Sequence, residues 1–146
     1  MIDLRIKSLF FDREKVVRAV DKAKRAVLSR AGAFIRTAAR TSIRKRKGSA
    51  PPGSPPHSHV GLLRNFIFFG YDRQSDSVVV GPAKLNRATE APRVLEHGGT
   101  TTVTRFSRGR IRKRRVRVNA RPFMGPALEK ERQKLPKLWA NSVRGR

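Results

Sequence analysis

The stretch DREKVVRAVDKAKRAVLSRAGAFIRTAARTSIRKRK, Asp12 to Lys47, decides the fold. Val16, Val20, Val27, Ala31, Phe34 and Ala38 recur along it at helical spacing, with Arg18, Lys22, Arg25, Arg36 and Arg40 on the opposite side. This pattern predicts one amphipathic helix, opened by Asp12 as N-cap and running to about Lys45, on the order of 50 Å long at 1.5 Å per residue. So long a helix in a small domain serves as a spine. Upstream of it, Ile2, Leu4 and Ile6 alternate with Asp3, Arg5 and Lys7, the period of a half-buried strand.

Downstream, the helix runs into RKRKGSAPPGSPPHSH, where Gly48 closes it and the prolines oppose both helix and ladder pairing, so residues 48–61 read as an extended loop. GLLRNFIFFGYD, the turn DRQSD and SVVVGPA then form an antiparallel hairpin, with Leu63, Phe66, Phe68, Val78 and Val80 expected in the core. APRVLEHGG supplies a turn or two of helix halted by Gly98 and Gly99. TTTVTRF and IRKRRVRV flank SRG as a second hairpin, residues 100–120, too charged for any interior. Pro126 suits the start of a last helix in which Leu128, Leu135 and Trp139 share a face and Pro136 kinks or restarts the chain. The fold class is therefore α+β: a long N-terminal amphipathic helix on a small antiparallel sheet, with a basic β-hairpin arm and a C-terminal helix, all in one domain spanning 1–146.

Charge narrows the function. The 146-residue chain carries 35 Lys and Arg against 10 Asp and Glu, a net charge of +25. That imbalance points to a polyanion or a strongly acidic partner. A chain of this size buries roughly 68 to 70% of its unfolded surface, so a real core is expected. Arg105 to Leu128 alone holds nine Lys or Arg residues, and no acid occurs from His97 to Leu128. Arg105, Arg108, Arg110, Arg112, Lys113, Arg114, Arg115 and Arg117 are candidate contacts to nucleic acid or to an acidic neighbour. So are Arg44, Lys45, Arg46 and Lys47, which could equally complement the negative end of the helix dipole. Only Phe106 and Phe123 lie near the hairpin, which argues for phosphate contact without base stacking.

Other chemistries find little support. The absence of cysteine removes disulfides, thiolate metal sites and Cys nucleophiles. His57, His59 and His97 lack the companions of a metal site, and no cofactor is expected. The acids are scattered, with no carboxylate cluster for a metal-dependent nuclease, so an enzyme is disfavoured. MIDLRIKSLFF has no secretory pattern, and no window approaches ~20 apolar residues, so neither export signal nor membrane partner is expected.

Four blocks in order carry a resemblance: SAPPGSPPHSHVGLLRNFI, VVVGPA, APRVLEHGG and ARPFMGPAL. Over residues 12 to 140 they resemble the siphophage tail-completion family, the head-tail joining or neck proteins. In that family a Pro-rich PPxxxTGxL-like stretch follows a basic helix, an APxxEFG-like turn comes mid-chain, and an RPFxxPAL knot opens the last helix. The matching residues here are Pro55, Pro56, Gly61, Leu62, Leu63, Gly81, Pro82, Leu95, Glu96, Gly98, Arg121, Pro122, Phe123, Pro126, Ala127 and Leu128. Val60 stands where the family often has Thr, His97 where an aromatic is usual, and the hairpin from Gly99 to Arg121 is longer and more basic than expected.

The resemblance implies a structural virion protein without catalysis or cofactor, assembled as a homo-oligomeric, expectedly hexameric ring. Its implied neighbours are neck, head-completion and tail-terminator or tail-tube proteins, with packaged DNA as a sequence-independent contact. Its implied place is the virion neck or tail, reached from the host cytoplasm. In such a ring the Pro122, Phe123, Met124 and Pro126 wedge would fix the arm in place. Charge alone would equally suit a basic, non-specific nucleic-acid-binding protein.

Overall fold

The computed structural model describes residues 12–83, 90–107 and 109–143. The expected strand at Ile2–Ile6, and Arg108 in the arm, lie outside them. Helix α1 spans Arg13–Ser42, and the Asp12 side chain accepts from the Lys15 N–H at 2.9 Å, which satisfies one donor of its first turn. It stops a turn short of Lys45. In its last turns the hydroxyls of Thr37, Thr41 and Ser42 donate to the carbonyls of Ala33, Thr37 and Ala39, and Ile43 turns extended to bury its side chain completely. The run Arg44–Lys47 therefore leaves the helix, and only Arg40 stands as a cation in its last turn.

The buried stripe of α1 is Ala23, Val27, Ala31, Gly32, Ile35 and Ala39. Val16, Val20 and Phe34, expected on that face, are 42 to 45% exposed. Small residues win here because sheet and helix approach closely: a Cβ on Gly32 would sit 2.7 Å from Val78 and 2.8 Å from Phe69. The backbone of Gly32 thus makes room for the strands, and bulkier apolar residues are displaced to the flanks. Arg36, expected on the wet side, is half-buried and donates from Nε to the Ile67 carbonyl at 2.8 Å.

Strands β1 (Ile67–Asp72) and β2 (Ser77–Pro82) pair antiparallel, with Phe69 opposite Val80 and Tyr71 opposite Val78. This register turns Ile67, Phe69, Tyr71, Val78 and Val80 to α1. Phe68 shares the outer face with Val79, Gly70 and Gly81, where Phe68 is 49% and Val79 60% exposed. The expectation of a buried Phe68 is therefore corrected. A one-residue slip in reading an unbroken apolar run exchanges the two faces of a strand. The DRQSD turn forms as expected. Asp72 accepts from the Gln74 N–H and the Ser75 hydroxyl, while Asp76, in the left-handed region, meets Lys24 of α1 and the Tyr71 hydroxyl. The Lys24 ammonium and the Tyr71 hydroxyl hold the Asp76 carboxyl below its ordinary range.

A short helix α2 (Leu62–Asn65) precedes β1, and helix α3 (Ala91–His97) precedes the arm. Strands β3 (Gly99–Ser107) and β4 (Arg110–Val118) form a separate two-stranded antiparallel sheet. The first hairpin and the basic arm are thus separate sheets, as read. Helix α4 (Met124–Arg132) packs on α1, and α5 (Leu135–Trp139) restarts at Pro136. The buried face of α4 is Ala127 and Glu131, whereas Leu128 and Trp139, read as sharing a face, are 44 and 46% exposed. Core residues Ala39, Ile43, Ile67, Phe123 and Ala127 cluster where α1 ends, β1 starts and α4 begins. The class is α+β as read. Among the described residues no helix is long and apolar enough to cross a membrane.

Candidate assembly node and basic arm

Three segments far apart in sequence meet beside that core. The Arg121 N–H donates to the Leu95 carbonyl at 2.6 Å, its Nε donates to the Ala50 carbonyl at 2.7 Å, and the Gly53 N–H donates to the Ala120 carbonyl at 2.9 Å. The Pro-rich loop, α3 and the chain leaving the arm are thereby bonded to one another. Gly98 sits at the centre with φ +75°, and a Cβ there would lie 3.1 Å from the Ala120 nitrogen and 3.3 Å from the Val118 carbonyl oxygen. Both the backbone angle and the close approach select glycine.

Glu96 explains how α4 starts. Phe123-Met124-Gly125-Pro126 offers no side chain to cap its own helix, yet the first amides need acceptors. Glu96 Oε2 accepts from the N–H groups of Phe123 (2.9 Å) and Met124 (3.0 Å), and Oε1 from Gly125 (2.8 Å). Pro126 has no N–H to satisfy. A carboxylate delivered from α3 thus caps a helix 27 residues later, with the charge sign the helix dipole favours. Replacing Glu96 by Ala is expected to destabilise the domain by about 1–2 kcal/mol, and Gln by roughly half that. Hydrogen exchange at the amides of 123–125 should accelerate in step; unchanged exchange would show that the cap is unimportant.

Phe123 is 1% exposed, the largest fully buried side chain of the node. Leu95 and Met124 pack against the same cluster, as does Leu63. Arg121 and Pro122 are half-buried, Pro56 is buried and Pro55 half-buried. Gly61, buried at φ +82°, opens α2, and Ile67 pairs with Pro82 next to Gly81. Leu62, Pro126 and Leu128 lie exposed and take no part in the packing. The four sequence blocks singled out above thus converge. Set against family models, curated proteins and solved structures, the chain matches none of them.

From this node the arm runs outward for nine paired positions, about 30 Å at ~3.3 Å per residue. Outside its own pairing its main contact is with α3. Its cations at 105, 110, 112, 113, 114, 115 and 117 are all exposed, and none enters an ion pair among the described residues. The acids are occupied elsewhere: Glu14 faces Arg18, Asp21 and Asp76 share Lys24, Glu129 faces Arg132 and Glu131 faces Lys134. Arg44–Lys47 are exposed too, and Arg44 bridges His57 of the Pro-rich loop in parallel, its carbonyl accepting from the Ser58 N–H at 3.0 Å. That bridge corrects the expectation of a loop without ladder pairing.

Sequence reasoning missed Ala50 and Gly53 as anchors, Arg36 as a buried bond, and the capping role of Glu96. Only the last had a readable signal: a helix opening on Phe-Met-Gly-Pro must borrow its cap.

Proposed function

We propose that this chain is a structural virion protein of a tailed bacteriophage, one that completes the tail or neck and joins head to tail as a homo-oligomeric ring around the DNA channel. The observation that carries the reading is the meeting of three of the four family-like blocks at a single node, with Val80 of the fourth packed on the adjoining core, and that node also fixes the root of the arm. Residues that read as a motif in sequence share a task in space: they hold an arm at a set angle to the spine. Such an element suits a protein that acts by shape and charge on neighbours.

Ring closure requires each copy, at +25, to touch the next without prohibitive repulsion. The outer face of β1 and β2 suits that contact, because Phe68, Gly70, Val79 and Gly81 bring no charge to it and its one charged member, Asp72 at the turn end, is an acid. Copies meet there, and the arms reach to a foreign acidic surface or to DNA. The neighbours on this reading are the neck, head-completion and tail-terminator or tail-tube proteins, and the chain performs no catalysis. Purified tailed particles are expected to contain it in several copies. A Phe68→Glu/Val79→Glu variant should fold but be lost from particles and stay monomeric by native mass spectrometry. Particles that lack the wild-type chain would overturn the proposal in favour of a free-standing basic nucleic-acid-binding protein.

A further inference from the structure

The two faces of the arm differ, and the difference identifies a partner. Pairing places Thr100 opposite Arg117, Thr102 opposite Arg115, Thr104 opposite Lys113 and Phe106 opposite Ile111 on one face. Every one of these residues is exposed, and Phe106 and Ile111 at the far end are 74 and 67% exposed. On the other face Thr101, Val116 and Val118 are half-buried near the root, so that side is open only toward the tip, where Arg105, Arg110, Arg112 and Arg114 stand exposed. One face is therefore open over its full length, with a row of cations, a parallel row of hydroxyls and an apolar pair at its tip.

We propose that this open face lies along duplex DNA, with Lys113, Arg115 and Arg117 on phosphates and Phe106 with Ile111 seated in a groove as an apolar wedge. The inference deepens the ring reading by naming the partner of the arm, and rests on that reading only for the DNA it would meet. Alternate residues of β4 are ~6.6 Å apart, so Lys113, Arg115 and Arg117 form one evenly spaced row of cations able to reach successive phosphates along a backbone. Threonine hydroxyls between the cations add phosphate donors that carry no sequence information. An apolar pair at the end of a basic ribbon is what a groove-entering wedge needs.

Other occupants fit less well. A second copy offers few spare carboxylates, since nearly every described acid meets a cation, capping bond or turn bond among the described residues. Single-stranded nucleic acid would want a ladder of aromatics, and the arm has Phe106 alone.

The test uses the full chain and fluorescence anisotropy on a duplex of about 30 bp, near three helical turns, over a range of salt. Wild type should bind the duplex more tightly than a single strand of the same length, and more tightly than anionic phosphatidylserine vesicles. Lys113→Ser/Arg115→Ser/Arg117→Ser should flatten the slope of log affinity against log salt by about 2–3, and Arg105→Ser/Arg112→Ser/Arg114→Ser by less than about 1. Phe106→Ser/Ile111→Ser should leave the slope unchanged and weaken binding about tenfold or more. All of these side chains are exposed, and circular dichroism checks that each variant folds. Equal losses from the two triple variants, preference for single strands, or binding to vesicles but not to duplex would each overturn the proposal. None of those results bears on whether the chain is found in particles, which is the separate test of the ring reading.

Discussion

Phe123→Ala is expected to lower stability by about 3–5 kcal/mol, the range for emptying a large, fully buried aromatic site. Domains of this kind are stable by about 5–15 kcal/mol in all, so the loss is a large share of the total. Thermal unfolding should fall by roughly 10 °C or more. The site has few means of collapse: Ala39, Ile43, Ile67 and Ala127 surround it from helix ends and a strand start, all nearly or wholly buried. The amide of Phe123 also donates to Glu96, so relaxation of the backbone into the cavity would strain the cap of α4. Leu128→Ala, a few residues on but 44% exposed, is the control, with an expected change below about 1 kcal/mol. Similar losses from the two variants would mean that the node is not where the domain is held together.

The contrast between these two residues shows what the sequence disclosed. ARPFMGPAL announced a packed knot, and the knot is there, but which of its apolar residues faces inward depends on the neighbour that covers it. The same holds for α1: its existence, its N-cap and its amphipathic character follow from period and from Asp12, whereas its buried stripe is set by Gly32 and the strands that press on it. Ala and Gly carry little hydrophobic signal, so a reading weighted to Val and Phe picks the flanks. In GLLRNFIFFGYD the absence of alternation hid the register, and only pairing with β2 decides between Phe68 and Phe69. The basic arm was legible as a hairpin, because an acid-free run with cations on both faces has no interior to enter. Its anchorage was not legible, since the bonds that fix it come from the carbonyls of Ala50 and Leu95, and backbone acceptors leave no mark in a sequence.

Those anchoring bonds matter because they give the charge a direction. An arm tied at its root by Arg121, Gly98 and the Glu96 cap presents its cations at a fixed place, and seven of them stand exposed without an intramolecular partner among the described residues. Such a surface is stable in isolation only through water and counterions. On the proposed reading an assembled particle would supply the counterpart, and each exposed charge contact would contribute about 0.2–1 kcal/mol. Removing four of them together should therefore weaken joining by on the order of 100-fold.

Replacing Arg112, Lys113, Arg114 and Arg115 by Ser carries this out, and it strips both faces of β4 where they are fully exposed. The measurement is a count, by electron microscopy and plaque assay, of joined particles against separate heads and tails in lysates carrying the variant. Separate heads and tails, with infectious titre down on the order of 100-fold, are expected. Joined, infectious particles at wild-type numbers, with the variant chain present in them, would contradict the account.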